Sequence, residues 1–561
     1  MTDSALIGGA DQAPSPAPPP VPTDRAAILV AAGILLSRVS GIIREAVLSR
    51  WLGASNIAAD AFAISLQIPK MLQNLLGEGA LSASFIPVYS SVVDRDPRAA
   101  RRLAGAVFGL LAALVGTIVL VLMFAARPIV GLIVRGAGDT RADLIAELVR
   151  TMAPGIGFIV FAAWCLGILN AHRDFFLSYV APMLWNIAII TAILIWTTQT
   201  NDSIELARAG AWGVFLGGVA QFAVQLPRVL RIAGPITPSL DRTGGELREV
   251  VRRFIPGVAG RGVVTLGTFT DIALASFLAV GAVAVLTKAQ ILYMMPISVF
   301  AVSIAAADLP ELSRETADAS AATDRVRTAI DRVSLFVVFS AIAFVFGGRS
   351  LVGALFEGGQ FTSDDTVAVW LTLAVFSVGL LASALSRVFQ TASFAQGDVA
   401  GPAKIALARL VVAAVVGFCL MFPADRYQVV DGLVRQSDDL AFGPLGESIR
   451  EQSNSHRLGA VGLAAGGAIA AWLEFALLGR RLRRTTTALG IWAALRRLIP
   501  ASFAAGIAVA GLAAALNGLP PLLAAPLVIG PPGLLYMVVA KRCGNMTADA
   551  LIRRAVGLVR S

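Results

Sequence analysis

The stretch SRVSGIIREAVLSRWLGASNIAADAF, residues 37–62, decides how the whole chain is read. It sits in an apolar tract running from about Arg25 to the Pro69 region, yet it contains Arg38, Arg44, Glu45, Arg50 and Asp60. An ionised side chain at the centre of a spanning helix costs about 2.5–3.5 kcal/mol on insertion scales. Three guanidiniums and two carboxylates so close together therefore require a wet, protein-lined cavity rather than lipid. At about 100° per residue, Ser37, Arg38, Gly41, Arg44 and Glu45 fall within an arc of about 120°. A cationic stripe on an otherwise apolar helix is a place to hold an anion.

The bulk composition is that of a membrane protein. Hydrophobic residues make up 57% of the 561 and charged residues 15%, against roughly 25% charged in soluble domains; the mean hydropathy is +0.76. Tracts of about 18 or more apolar residues recur along the chain, each long enough to cross a bilayer. The net charge of +10 sits in short loops between spans, which points to anionic lipid headgroups rather than nucleic acid. The three cysteines, Cys165, Cys419 and Cys543, form no CxxC pair, and only His172 and His456 are present. A metal site is therefore not expected, and no cofactor is implied.

Residues 1–25, with APSPAPPPVP, read as a disordered lead without a basic n-region or cleavage site. Fourteen spans are expected, at roughly 26–50, 57–92, 103–126, 146–170, 177–199, 209–230, 251–279, 282–312, 328–348, 366–395, 402–422, 458–480, 490–514 and 519–541. Arg95, Arg98, Arg101 and Arg102 follow span 2; Arg231, Arg242 and Arg248 follow span 6; Arg480, Arg481, Arg483 and Arg484 follow span 12. The connections after spans 1, 7 and 13 carry no basic residue. Even-numbered loops and both termini are accordingly expected on the cytoplasmic side. The organisation is then a lead, an N-lobe over 26–230, a cytoplasmic linker over 231–250, a C-lobe over 251–484, spans 13–14 over 485–541 and a tail over 542–561. Within the C-lobe, the polar stretch 423–457 is expected as a solvated external loop.

Polar residues concentrate in spans 1, 2, 7, 8 and 10, whereas spans 3, 5, 11, 13 and 14 look nearly clean. On span 2, Asp60, Gln67, Asn74 and Glu78 lie within about 40° on a helical wheel. Pro69 is expected to kink that helix, with Gly77 and Gly79 loosening its lower end. The plain role for Asp60 is to neutralise an arginine of span 1, and the sharper one is to trade partners between two states. Span 7 carries Arg261, Thr265, Thr268 and Asp271; span 8 carries Lys288; span 10 carries Ser383, Arg387 and Gln390. A shift of 226 residues lays EAVLSRWL on DIALASFL, pairing Glu45 with Asp271 and Gly41 with Gly267. Repeated halves around a polar midplane site are a transporter architecture.

With these motifs in order, the chain resembles the MurJ/MviN lipid II flippases, within the superfamily of multidrug and polysaccharide exporters. The likeness rests on SRVSGIIREAVLSRWLGAS, DAFAISLQIPKMLQNLLGEGALSASFIPVYS, GILNAHRDFFLSYVAPMLWNIAII and FAQGDVAGPAKIAL, and covers about residues 26–541. It implies an all-α fold of about fourteen helices in two lobes around a central cationic cavity, with spans 13 and 14 forming a groove for the lipid tail. It implies that Ser37, Arg38 and Arg44 belong to the cavity motif, Asp60 is the helix 2 acid, and Glu78, Gly79 and Ala80 are the EGA motif. The chain departs from the family pattern at Gln73, and at Gln290 and Ile291. Arg261, Lys288 and Arg387 are the cations available to replace the missing charge.

The implied substrate is lipid II or a related polyprenyl-diphosphate glycan, flipped across the bacterial cytoplasmic membrane among membrane lipids and other cell-wall synthesis proteins. Arginine suits a diphosphate because its planar fork donates paired hydrogen bonds and stays charged. The membrane potential favours outward movement of an anion by about 2.3 kcal/mol per charge per 100 mV, and a coupling cation is a second source of drive. No nucleotide-binding motif occurs, and no loop holds a recognisable catalytic set, so an enzyme is not expected. Alternatives are an exporter of another polyprenyl-linked glycan or amphipathic drug, and a non-transporting cell-wall scaffold. In an alternating-access cycle, Asp60 would help close the outer gate and Glu78 the inner one, with Gly77 and Gly79 as the hinge.

Overall fold

The computed structural model describes residues 24–240, 245–301, 319–398, 400–439, 442–482 and 490–560. The proline-rich lead, most of the C-terminal half of span 8 and the arginines Arg483 and Arg484 lie outside them. Each of the fourteen expected spans falls on a helix or on a broken pair of helices. These are α1 (Asp24–Leu52), α2 (Ile57–Leu76) with α3 (Glu78–Val93), α4 (Pro97–Ile133), α5 (Asp139–Ala171), α6 (Phe175–Trp196), α7 (Ser203–Ala233), α8 (Gly245–Ala275) and α9 (Ala282–Pro296). They continue as α10 (Ala319–Phe356), α11 (Ser363–Val378) with α12 (Leu380–Ala395) and α13 (Ala400–Ala424). After the short α14 (Glu447–Arg450) come α15 (Gly459–Leu482), α16 (Ile491–Ala515) and α17 (Pro521–Arg542), then the tail helix α18 (Met546–Arg560).

Ten described helices are long and apolar enough to cross a membrane, and counting the bent pair α11–α12 makes eleven. The three expected passes outside that number are α1, α2–α3 and α8, the ones carrying Arg44, Asp60 and Asp271. Polar side chains lower their apolarity, and of these Arg44 and Asp60 are buried against other protein groups rather than lipid. Within the first half, α5 packs on α7 and α4, and α6 on α7 and α1. In the second half, α13 packs on α15, and α10 on α11 and α12. Helix α8 lies between them, against α2, α3 and α4 on one side and α13 and α15 on the other. Helices α16 and α17 pack on α10 around a separate small core of Leu335, Leu498, Ala501, Ala505 and Tyr536.

Span 2 breaks at Gly77, one of the two glycines expected to loosen its lower end, while the helix continues through Pro69. Helix α2 runs through Pro69 and ends at Gly77, whose ψ of −127° leaves the helical region. A Cβ on Gly77 would lie 2.4 Å from the Gln73 carbonyl oxygen, so only glycine allows this break. The Gly77 N–H still donates to that carbonyl at 2.9 Å, closing α2. Span 10 bends by 47° at Gly379.

The stretch 423–457 is not a plain solvated loop. Strands β1 (Tyr427–Val430) and β2 (Leu433–Gln436) pair antiparallel across Asp431 and Gly432, both at positive φ (54° and 74°). An Asp-Gly pair of this kind makes the two-residue turn whose twist suits a hairpin. The Gly432 N–H donates to the Asp364 carboxylate at 2.7 Å, tying the hairpin to the start of α11. Burial pushes the Asp425 carboxyl, just past α13, up to about 6, against the opposing pull of Arg457 and of the Ala279 N–H. The sequence reading missed this because the signal lies in one dipeptide inside an otherwise mixed stretch.

Because the Gly77 break admits no methyl group, Gly77→Ala is expected to cost about 1–3 kcal/mol through overpacking. Gly116→Ala adds a methyl group that meets nothing within 4 Å and serves as the control. Thermal unfolding of the two purified variants in detergent should show a lowered midpoint for Gly77→Ala alone.

Candidate functional site

Two arrangements are built on α1 and α2: a cation cluster, and a sealed end beside the hairpin. On α1, Arg44 and Glu45 are both 7% exposed and form an ion pair at 2.5 Å. Arg44 Nη1 also donates to Asn186 Oδ1 of α6 at 2.9 Å, and its guanidinium lies 5.1 Å from the centre of the Trp185 ring. The Asn186 amide donates in turn to Ser40 Oγ at 2.9 Å, fixing its orientation. Arg44 Nε and Trp185 Nε1 are buried donors with no acceptor among the described residues.

Glu45 opens onto a cavity of about 400 Å³, counting the part open to solvent, that is also lined by Lys70 and Lys288. Lys288 Nζ, on α9, donates to Ser49 Oγ of α1 at 2.6 Å and faces the rings of Phe356 and Phe361 at 5.5 and 5.7 Å. Lys70, on α2, acts electrostatically on Glu45 together with Arg44 and Lys288. In their charged forms, three cations act on one carboxylate, leaving two net positive charges around it. Such an arrangement favours an acceptor with two negative charges.

The structure gathers some of the expected residues and separates others. The Ser37 carbonyl accepts from Ser40 Oγ at 2.9 Å within α1. Arg38 stands exposed on α1, with no ion pair among the described residues. Of the three substitute cations, Lys288 joins Arg44 and Glu45. Arg387 instead donates to Gln390 at 3.3 Å, inside a second polar cluster. There Glu474, 1% exposed, accepts from Arg409 at 2.6 Å and from Gln390 at 2.8 Å, and Tyr293 donates to Ser383 at 2.7 Å. Span 11 is therefore not clean, since Arg409 is its partner for Glu474. Glu78, Gly79 and Arg261 fall on helical stretches whose side chains lie outside the described residues. Asp271, the residue matched to Glu45 by the 226-residue shift, accepts from Gln290 at 3.3 Å.

Asp60 pairs with a residue of α5, not with an arginine of span 1. It is 0% exposed, and its carboxylate takes Arg141 Nη1 at 3.0 Å and the Ala284 N–H of α9 at 3.0 Å. The separation along the chain explains the correction. Arg44 lies eight residues before the end of α1, about 12 Å at 1.5 Å per residue, whereas Asp60 sits in the first turn of α2. The Asn56 side chain, accepting the Ala59 N–H at 2.9 Å, caps that turn and holds Asp60 at the seam. Arg141, also 0% exposed, donates to the Ser276 carbonyl at 3.0 Å and pairs with Glu451 at 3.1 Å. Ser55 Oγ reaches Asp365 Oδ1 at 2.5 Å, and a Cβ on Gly281 would sit 2.6 Å from Ser55 Cα. At this end the two halves are in direct contact.

Lys70, Trp185, Asn186, Arg141 and Glu474 were not singled out from sequence. Lys70 and Glu474 carried a usable signal, a lone charge inside an apolar span; Arg141 looked like an ordinary loop residue.

The description "Lipid II flippase MurJ" belongs to a family model that matches residues 48–430. A curated lipid II flippase from Burkholderia cenocepacia is 30% identical over 402 residues, covering 69% of this chain and 76% of its own length. Among solved structures, a lipid II flippase in an inward closed conformation superposes with a TM-score of 0.73 at 19% identity, over 94% of this chain and 100% of that one. An inward-facing multidrug transporter of the wider superfamily gives 0.61 at 16% identity, over 82% of this chain and 100% of that one. Both solved structures carry the fold alone.

Removing Arg141 leaves the buried Asp60 carboxylate without a cation, which costs about 3–5 kcal/mol. Arg141→Met is therefore expected to lower the unfolding midpoint strongly, and the double variant Arg141→Met/Asp60→Asn to recover part of the loss, Glu451 still lacking its cation. A double-mutant cycle in detergent reads the coupling directly.

Proposed function

We infer the function of this chain from its membership: the chain belongs to the lipid II flippase MurJ family. It flips lipid-linked peptidoglycan precursor from the inner to the outer leaflet of the cytoplasmic membrane. The observation in the molecule that carries this reading is the buried cluster of Arg44, Lys70 and Lys288 around Glu45. A diphosphate bearing a sugar on one side and a polyprenyl chain on the other carries two negative charges, which is the excess positive charge of the cluster. Arg44 Nε and Trp185 Nε1, which have no acceptor among the described residues, supply additional hydrogen bonds to phosphate oxygens. The head thus crosses charge-compensated, while the tail stays in lipid.

The positive-inside pattern puts the hairpin end outside and both termini in the cytoplasm. On that orientation the Asp60–Arg141–Ala284 contacts form the outer gate, closed in this conformation. The cavity is far smaller than a disaccharide with a peptide stem, so the head enters only after the halves separate at one end. The break at Gly77 lets α3 move against α8 without disturbing α2. The membrane potential supplies about 2.3 kcal/mol per charge per 100 mV for outward movement of the anion, with a coupling cation as a further source of drive.

Loss of a charged hydrogen-bond donor to phosphate costs about 1.5–3 kcal/mol, or roughly 10- to 100-fold in transport rate. Arg44→Ala, Lys70→Ala and Lys288→Ala are expected to fail to support growth of a flippase-depleted bacterium at normal abundance, with lipid II accumulating in the inner leaflet. Arg44→Lys should rescue partly, because an ammonium cannot donate the paired bonds of the guanidinium. Full growth and wild-type lipid II distribution in all three alanine variants would reject the cluster as the head-group site.

A further inference from the structure

We propose that residues 447–456 form a strap that fastens the two halves of the molecule together at the hairpin end, and that it must let go before the cavity can open there. The proposal rests on the alternating-access reading above, but uses residues beyond the stretch matched by the family model. The segment starts and finishes in the second half, between α13 and α15, and reaches across to the first half through three consecutive anchors.

Arg450 belongs to both sides at once. Its carbonyl accepts the Val280 N–H at 2.8 Å, and its guanidinium donates to the Gly136 carbonyl in the α4–α5 connection. Glu451 Oε1 accepts the Gly138 N–H at 2.9 Å and pairs with Arg141 Nη2 at 3.1 Å. The Asn454 N–H donates to the Ser55 carbonyl at 2.5 Å in the α1–α2 turn. On its own side, His456 Nε2 lies 3.2 Å from Thr362 Oγ1 and 3.4 Å from Asp365 Oδ1, and the His456 carbonyl accepts the Val429 N–H at 3.0 Å. The strap therefore extends the Asp60–Arg141 seal: the guanidinium that binds the first-half carboxylate of Asp60 also binds the strap's Glu451.

Three features suit this segment to release. Every anchor on the first half is polar, so separation exchanges protein partners for water rather than exposing an apolar core. Asn454 and His456 hold positive φ values of 62° and 43°, a conformation that non-glycine residues keep only when their surroundings impose it. Glu451 Oε2 is buried with no donor among the described residues, so the latch is incompletely satisfied when shut.

The test uses the full chain with Cys165, Cys419 and Cys543 replaced and a single reporter, Ala63→Cys, on the cavity wall. Labelling by a membrane-impermeant thiol reagent from the hairpin side measures opening without involving substrate. Glu451→Ala removes both the Gly138 and the Arg141 contact and is expected to raise the labelling rate at least about tenfold. Unchanged labelling at normal abundance overturns the strap. In a second variant lacking the reporter, Gly138→Cys and Glu451→Cys are paired, since a Cβ on Gly138 lies 3.0 Å from Glu451 Cγ. The oxidised pair should stop support of growth, and a reductant should restore it; growth that persists with the cross-link formed also overturns the proposal. Because the labelling readout involves no substrate, the strap and the lipid II assignment can fail independently.

Discussion

The closed end is centred on one guanidinium that water cannot reach. Arg141 is fully buried and meets Asp60 from α2, the Ser276 carbonyl after α8, and Glu451 from the hairpin segment. A buried charge of this kind is tolerated only where partners of opposite sign surround it, since desolvation otherwise exceeds the attraction. The three partners come from three parts of the chain, so the electrostatic requirement of a single residue forces them together. Close backbone contact at Gly136 and Gly281, where no Cβ fits against Phe277 and Ser55, completes the seal.

The same economy governs the interior. Glu45 is held among Arg44, Lys70 and Lys288, and Glu474 between Arg409 and Gln390. Each half thus contains a carboxylate neutralised by cations from neighbouring helices, but the two clusters differ in their surplus. The Glu45 cluster keeps spare positive charge, with Lys70 and Lys288 on the wall of a cavity, the condition for holding an anion. In the Glu474 cluster, Arg409 and Gln390 both donate to the one carboxylate, which fits a packing role within the second half.

The helices are interrupted at glycines. Gly77 and Gly379 divide spans 2 and 10 into separately packed segments. Membrane helices admit such breaks only where neighbouring protein satisfies the exposed backbone groups. At Gly77 the N–H remains bonded to Gln73, and at Gly379 to Phe376. The helices therefore bend without leaving bare polar groups in lipid.

The sequence by itself determined that the chain crosses the membrane many times, where its helices run, and that α1 carries a cationic stripe. Apolar length and helical periodicity are local properties, and insertion energetics penalise Arg38, Arg44 and Asp60 wherever the rest of the chain lies. It also marked Lys288 as a spare cation, though not which of Lys288, Arg261 and Arg387 would join Arg44. Only the tertiary structure decided that Asp60 belongs to Arg141 rather than to an arginine of α1, that Lys70 shares the cavity with Glu45, and that 423–457 folds back onto both halves. Those outcomes depend on which helices become neighbours. Partners 81 residues apart for Asp60 and Arg141, and 313 apart for Gly138 and Glu451, leave no periodic trace, because a buried charge selects its partner by distance in space and not along the chain.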